Sequence, residues 1–301
     1  MVMDVEWIAV DWGTTNLRAW LIAGDGEVLA TCRSELGMSR LRPEEFEAAL
    51  METVEDALRS NGQIPVIVCG MAGAREGWKE APYSAVPCAP PGLSEAVTPQ
   101  TRDVRLQTFI IPGLKQLEPA DVMRGEETQI SGFLAGQPDF EGVICLPGTH
   151  TKWVRVSDRT ITEFHTHMTG EIFSLLSSQS VLRHSLGGEG WDQDAFIEAL
   201  ETVIEDPTRI SSRLFSIRAK ALLNNTEDAY LRSELSGYLL GLELGGVGRK
   251  WLDQETVLIG DSRLVELYRA GLKILGINAI IVEDKDITLS GLRHAYAELV
   301  R

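Results

Sequence analysis

Short apolar runs that stop at a polar residue or a glycine alternate along the chain with stretches of helical period. Val5–Val10 is such a run and ends at Asp11. Leu17–Ile22 follows, then a Gly24-Asp25-Gly26 turn and a third run over Val28–Cys32. Each reads as a strand, joined by tight turns. From Pro43 to Ser60 the period changes: Phe46, Leu50, Val54 and Leu58 recur every fourth residue, which predicts a helix. Pro43 suits its first position and Gly62 its stop. Val66–Cys69 is a buried-type strand ending at Gly70. Residues 70–105 are proline-rich and without period, a loop of a length that signals a binding element. A strand over Leu106–Ile111 and a helix over Glu126–Ala135 close this half.

The pattern then restarts. Gly142–Leu146 is a strand ending at Pro147-Gly148-Thr149; Thr151–Val156 and Ile161–Phe164 are the next two, joined at Asp158-Arg159. Helices are predicted over Gly170–Val181, Asp194–Glu205, Arg209–Leu223 and Asp228–Trp251. A strand at Val257–Gly260, a helix at Ser262–Leu275, a strand at Ala279–Val282 and a helix at Asp286–Leu299 end the chain. In both halves a strand runs into a Gly-Thr turn and a second strand, and the three-strand meander leads to a helix. The repetition divides the chain into two similar lobes, 1–138 and 139–301, with the last helix crossing back to the first.

Composition narrows the function. Acidic residues number 44 against 28 Lys plus Arg, a formal net charge of −16 over 301 residues. Such a surface repels phosphate backbones and anionic lipid, so neither nucleic acid nor membrane is an expected partner. An anionic ligand needs a locally positive pocket. No apolar stretch approaches the ~20 residues of a membrane span. Cys32, Cys69, Cys88 and Cys145 lie far apart with no CxxC pair. They read as reduced, mostly buried thiols of a cytoplasmic protein.

A Gly-Thr turn between strands presents N–H groups and hydroxyls to one point and can cradle a phosphate without net charge. Asp11, at a strand end, can hold Mg²⁺ through water. The segments Asp11-x-Gly13-Thr14-Thr15-x-x-Arg18 and Pro147-Gly148-Thr149-His150-Thr151-Lys152-Trp153 resemble the two phosphate motifs of the actin/Hsp70/hexokinase-type ATP-binding superfamily. Leu258-Ile259-Gly260-Asp261-Ser262 fits its adenosine motif, and no GxxxxGK[ST] sequence is present. Asp11 to Trp20, Gly77 to Tyr83, Met123 to Gln129, Leu146 to Trp153 and Met168 to Glu171 together resemble the 2-dehydro-3-deoxygalactonokinase family. The resemblance implies an α/β fold of two ribonuclease-H-like lobes (βββαβα) with an ATP cleft between them. It also implies ATP and Mg²⁺ as cofactors, and transfer of phosphate to the C6 hydroxyl of 2-dehydro-3-deoxy-D-galactonate in galactonate breakdown. A kinase of another sugar or sugar acid, or an actin-like ATP switch, are the alternatives. Oligomeric state is not fixed, and a homo-oligomer is compatible.

Roles follow for individual residues. Gly13, Thr14, Thr15, Gly148, Thr149, His150 and Thr151 are expected to line the phosphates, with Lys152 supplying charge and Arg18 reaching the phosphates or the sugar acid. Gly260, Asp261 and Ser262 are expected at the adenosine. Relatives in the superfamily place a catalytic base where a helix opens near the end of the first lobe; here that is Glu126, with Glu127 second. A substrate carboxylate calls for an arginine fork, Arg75 or Arg124. Trp78 and Tyr83 are candidate pocket walls. Thr169 and Glu171 either bind sugar hydroxyls or, for Thr169, cap a helix. His165 shares a strand face with His167 and reads as polar lining. In the helix from Asp228, Tyr230, Leu231, Leu235, Tyr238, Leu239 and Leu242 mark a core face. Its Gly241, Gly245, Gly246 and Gly248 suggest close approach of a nucleotide base or tight packing.

Overall fold

A computed structural model describes residues 4–55, 62–282 and 286–300. The chain divides into two compact units. Met1–Phe140, Val156–Glu163 and Asp284–Arg301 form the first; Glu141–Arg155 and Phe164–Glu283 form the second. The last helix therefore belongs to the first unit. So does the tip of the second half's hairpin, which the sequence pattern does not anticipate.

The first unit is built on a five-stranded sheet of order β3-β2-β1-β4-β6. Its strands are β1 (Trp7–Trp12), β2 (Leu17–Ile22), β3 (Val28–Ser34), β4 (Ile64–Gly70) and β6 (Leu106–Ile110). β1, β2 and β3 pair antiparallel, whereas β4 and β6 run parallel to β1. Both faces are apolar, as a covered sheet requires. Ile8, Val10, Trp12, Leu17, Ala19 and Leu21 pack on α1 (Phe46–Val54). Trp7, Ala9, Trp20, Ile22 and Ile67 pack on α9 (Ile287–Leu299), where Trp7 stacks on Tyr296 at 4.4 Å. The predicted helix over Pro43–Ser60 starts as a 3-10 turn at Pro43–Glu45 and is described as α-helix to Val54; Leu58 lies outside the described residues.

The second unit repeats the arrangement with order β11-β10-β9-β12-β13. The strands are β9 (Gly142–Leu146), β10 (Thr151–Ser157), β11 (Thr160–His167), β12 (Thr256–Leu258) and β13 (Ile280–Ile281). β9, β12 and β13 are parallel. The turn between β10 and β11 has positive φ at Asp158 and Arg159, the geometry of a two-residue hairpin. Val143, Cys145, Trp153 and Leu258 pack on α4 (Gln193–Glu205), α6 (Asp228–Val247) and α8 (Ser262–Ile274). Each unit thus has three meandering strands followed by two parallel ones, the ribonuclease-H-like order. Among the described residues no helix is long and apolar enough to cross a membrane.

Two expectations are corrected here. The 70–105 segment is not wholly irregular: β5 (Tyr83–Ala85) joins β7 (Gly113–Gln116) and β8 (Asp121–Met123) in a small third sheet. Strands of three or four residues are too short to show a period. In α6, Leu242 is exposed and Glu243 is buried in its place. The glycines of that helix serve packing: a Cβ on Gly237 or Gly241 would come within 2.3 and 2.7 Å of the carbonyls of Phe196 and Leu200 in α4, and Gly245 and Gly246 meet no such contact.

α2 (Glu126–Gly136) crosses α9 at two glycines. A Cβ on Gly291 would lie 2.0 Å from the Thr128 carbonyl, and one on Gly132 2.1 Å from that of Ile287. Backbone offers no rotamer by which to relax, so Gly291→Ala is expected to destabilise the protein by about 3 kcal/mol, the upper end of overpacking costs. Urea unfolding of the variant checks this; a midpoint equal to wild type would refute the crossing.

Candidate active site

In the first unit, register places four side chains in one row across four strands. Cys69 on β4 pairs with Asp11 on β1, Asp11 with Arg18 on β2, and Arg18 with Arg33 on β3. Asp11 Oδ2 accepts from Arg18 Nη2 at 3.3 Å, and the Arg18 guanidinium lies over Trp20, 4.3 Å from the ring centroid. Burial raises the pKa of Asp11, and the Arg18 charge partly offsets this. Two arginines directly opposed repel, and only one faces Asp11. The row ends in a cavity of about 490 Å³ lined by Asp11, Gly13, Thr15, Asn16, Arg18 and Arg33. Glu35 also lines it, so two arginines stand against two carboxylates and the lining carries no excess negative charge to repel an anion.

The first Gly-Thr turn is braced from behind. Gly37, Met38 and Ser39 donate their N–H groups to the carbonyls of Thr15, Gly13 and Thr14 at 3.2, 3.1 and 2.9 Å. A Cβ on Gly37 would lie 2.2 Å from the Thr15 carbonyl carbon, so only glycine allows this docking. Thr14 and Thr15 are exposed. The Asp11 carboxylate fits a water-mediated Mg²⁺ site: one oxygen is held by Arg18, and Mg²⁺ takes one or two carboxylates plus phosphate oxygens. Among the described residues no group of three His, Cys, Asp or Glu gathers as a protein-only cage.

The opening of α2 comes up against the ends of β1 and β4. Gly70 has φ +84°, and a Cβ there would sit 2.6 Å from the Trp12 carbonyl. Gly125 has φ +109° and would bring a Cβ within 3.5 Å of Gly70 Cα. The two glutamates after Gly125 differ sharply. Glu126 is half-buried, and its Oε2 accepts from the Arg124 N–H at 3.1 Å. Glu127 is fully buried; both its oxygens accept from the Gly125 N–H, at 2.8 and 2.7 Å. Burial, reinforced by the neighbouring Glu126 charge, pushes Glu127 up to about 7.

Arg75 and Arg124, equivalent candidates in sequence, part company. The Arg75 side chain is 81% exposed, and its nearest carboxylate, Glu80, is 3.8 Å away. Arg124 lies over the Tyr83 ring at 4.2 Å and donates Nη2 to the Ala81 carbonyl at 2.8 Å. Its Nε and Nη1 are buried without a partner. Gly73 makes room for it, since a Cβ there would come 2.7 Å from Nη1. Trp78 packs against Trp12 and Phe46 at 6.0 and 6.4 Å, so its ring serves the core.

In the second unit the turn Pro147–His150 is clasped by the start of α3 (Thr169–Ser178). The Glu171 N–H donates to the Thr149 carbonyl at 3.0 Å, and a Cβ on Gly170 would lie 2.4 Å from the Gly148 carbonyl. Thr149 and His150 are exposed, and His150 Nε2 lies 2.5 Å from Glu171 Oε2. Thr151 differs from the expectation: its side chain is fully buried, with the hydroxyl on the Tyr268 phenol at 2.7 Å. Lys152 is buried too, with Nζ donating to Thr166 Oγ1 at 2.8 Å. Thr169 donates to Glu243. His165 meets the Trp251 ring edge-on at 4.9 Å.

The Gly260-Asp261-Ser262 segment adjoins this turn, as a Cβ on Gly260 would lie 3.3 Å from the Pro147 carbonyl. Asp261 caps α8 through the N–H groups of Arg263 and Leu264, at 3.0 and 3.4 Å. Beside it opens a cavity of about 250 Å³, lined among others by Gly148, Phe173, Trp191, Arg232, Arg263 and Leu267. Sequence reasoning misses Arg33, Gly37, Arg232 and Glu243. For Glu243 a signal exists: it stands between Leu242 and Leu244 in an apolar helix.

A profile described as 2-keto-3-deoxy-galactonokinase matches residues 11–295. The chain is 39% identical over 297 residues, 95% of each chain, to a Rhizobium meliloti (strain 1021) protein named Probable 2-dehydro-3-deoxygalactonokinase DgoK1. It is 35% identical to the Escherichia coli (strain K12) 2-dehydro-3-deoxygalactonokinase, over 98% of this chain and all of that one. A crystal structure of a Sinorhizobium meliloti protein assigned to 2-dehydro-3-deoxygalactonokinase superposes with TM-score 0.89 at 37% identity, covering 97% of this chain and 99% of that one. Component A of (R)-2-hydroxyglutaryl-CoA dehydratase from Acidaminococcus fermentans, 13% identical, shares the fold with TM-score 0.53 over 98% and 99% of the two chains.

The folded protein binds the Glu127 proton more tightly than the unfolded chain does, about 7 against 4.5. The stability linked to this proton is fully present below pH 4.5 and is lost as pH rises to about 7. Relative to Glu127→Gln, wild type should lose about 3 kcal/mol across that window and nothing further above it. Denaturant titrations of both proteins at pH 4.5, 6 and 8 check the slope. A constant difference would mean that Glu127 keeps its ordinary proton affinity.

Proposed function

Since the chain belongs to the 2-keto-3-deoxy-galactonokinase family, and is therefore a kinase acting on an alcohol group, we propose that it transfers the γ-phosphoryl group of ATP to the C6 hydroxyl of 2-dehydro-3-deoxy-D-galactonate, releasing ADP, in galactonate catabolism. The observation that carries the choice of an acidic substrate is Arg124: a guanidinium with two buried N–H groups lacking partners, held in an arginine-sized recess beside the opening of α2. Unpaired buried donors are costly, and an anionic acceptor brought to either nitrogen would form a charge-assisted hydrogen bond.

Phosphoryl transfer asks for positioning and charge neutralisation more than for covalent chemistry. In this reading both Gly-Thr turns hold phosphate oxygens, with Arg18 and Arg33 adding charge at the first. The nucleoside occupies the cavity beside Gly260, where Phe173, Trp191 and Arg232 offer flat surfaces. Asp11 would hold Mg²⁺ through water, and the ion would supply neutralisation of phosphate charge. The C6 oxygen attacks the γ-phosphorus, the bond to the ADP oxygen breaks, and the hydroxyl proton passes to Glu126. Glu126 is assigned as the base because it is only half-buried, whereas Glu127 is fully enclosed and holds the Gly125 turn. Thr151 and Trp78 act by packing; Thr149, His150 and Glu171 line the exposed rim. The four cysteines are all reduced, which suits a reducing, cytoplasmic setting.

Coupled ADP release with a panel of sugars and sugar acids tests the reading; turnover confined to 2-keto-3-deoxy acids is expected. Glu126→Gln should lower kcat by roughly 10²–10⁴-fold, the usual worth of a general base. Full activity in that variant would remove the assignment. Arg124→Ala should raise KM for the sugar acid by about 10- to 100-fold, the scale of lost charge-assisted hydrogen bonds, while Arg75→Ala leaves it unchanged. The reverse ranking would transfer the carboxylate to Arg75.

A further inference from the structure

Beneath the second Gly-Thr turn lies a carboxylate that neither the motifs nor the reading above employs. Glu243, on α6, is 2% exposed. Its Oε1 accepts from the Trp153 indole N–H at 2.8 Å. Its Oε2 accepts from the Tyr268 phenol at 2.8 Å and from the Thr169 hydroxyl. Three donors meet one buried carboxylate, and they come from three elements: β10, α8 and α3.

The hydrogen-bond order is fixed by what each group can do. Trp153 can only donate. The Tyr268 phenol has one proton and gives it to Glu243, so towards Thr151 it can only accept. Thr151 must therefore donate, and its proton is committed inwards, away from any phosphate. Thr151 and Trp153 flank Lys152 on the strand, so both neighbours of Lys152 are tied to Glu243 on one face and the lysine is turned to the other. Thr169 in turn opens α3, whose Gly170 and Glu171 clasp Gly148 and Thr149. The two segments that form the cradle are thus fastened to one anchor.

Resting on the kinase reading, we propose that Glu243 is the positioning residue of the second phosphate turn: it holds β10 and the start of α3 in register and so fixes the Gly148–Thr149 turn that they clasp in the shape that receives a nucleotide phosphate. The residue does not touch the ligand; its contribution is preorganisation. A glutamine can keep much of the geometry. Its Oε1 would accept from Trp153, its amide would donate to the two hydroxyls, and the Tyr268 proton would turn towards Thr151. A leucine breaks every link.

The experiment compares wild type, Glu243→Gln and Glu243→Leu by two readouts: calorimetric titration with Mg-ATP, and hydrogen exchange at Gly148–Thr151 and Gly170–Glu171. Far-ultraviolet circular dichroism establishes that each variant is folded. Glu243→Leu should weaken ATP binding by about tenfold or more, the scale of one lost charge-assisted hydrogen bond, and speed exchange at both segments. Glu243→Gln should lie between, and KM for the sugar acid should stay within twofold in both. Unchanged ATP affinity and unchanged exchange in a folded Glu243→Leu would overturn the proposal, as would equal losses for ATP and sugar acid, which a general structural role predicts. Should Glu243→Leu fail to fold, Glu243→Gln decides by the same two readouts. If wild type itself shows no ATP binding, the kinase reading fails, and exchange at the two segments still decides whether Glu243 orders the turn.

Discussion

A carboxylate taken out of water must be given something in exchange, and this protein meets that demand in three ways. Isolated burial of a charge costs many kcal/mol unless it is paired, hydrogen-bonded or neutralised. Asp11 is paired, through Arg18 in the next strand. Glu127 gains the Gly125 N–H and a longer bond from the Thr128 hydroxyl at 3.4 Å, and burial holds it up to about 7. Glu243 collects three side-chain donors. Around each, the chain bends, crosses or stops, and each sits within reach of a segment assigned to binding.

The solutions differ because the tasks do. Asp11 faces a cavity, so its compensation has to be reversible: Arg18 can be shared with an anion, and the other carboxylate oxygen accepts only from the weak donor Cys69 Sγ, at 4.0 Å. Glu127 has no opening, and its raised proton affinity is the cost of setting the Gly125 turn against Gly70. Glu243 also has no opening, yet its donors are strong and numerous, which makes it a rigid joint. Glycine does the complementary work. At Gly37 and Gly170 the backbone of one segment touches the backbone of a Gly-Thr turn where a Cβ would lie 2.2 to 2.4 Å from the nearest atom. Both turns are therefore braced by a second segment that has no Gly-Thr sequence of its own.

This explains what could be read from the sequence. The repeated meander was legible because short apolar runs that stop at a glycine or a polar residue survive in a single chain: strands over Leu17–Ile22 and Gly142–Leu146 stand where the pattern puts them. Asp11, Gly13 and Thr14 were legible because strand, turn and strand are local. The bracing segments were not, since nothing near Gly37 names its partner 22 residues upstream. Nor was the division between Arg75 and Arg124, which depends on the recess that Gly73, Ala81 and Tyr83 build around one of them. The phase of α6 was misread by one position because a leucine was preferred to a glutamate for the interior. That preference holds for an isolated helix and fails where three donors wait for an acceptor.

An acidic enzyme with acidic substrates faces a last electrostatic problem, and the placement of its cations answers it. With 44 acidic residues against 28 basic ones, the surface at large repels both a nucleoside triphosphate and a sugar acid. In the reading proposed above, neutral N–H groups in the turns would bind phosphate without adding charge that would attract other anions. In the same reading the selecting cations are Arg18 and Arg33, which balance Asp11 and Glu35 in one cavity, and Arg124 in another recess. Lys152, buried against Thr166 in the strand that follows the second Gly-Thr turn, has a field that is screened less than that of a surface cation. The same burial that makes carboxylates expensive here makes the few inward-facing cations effective.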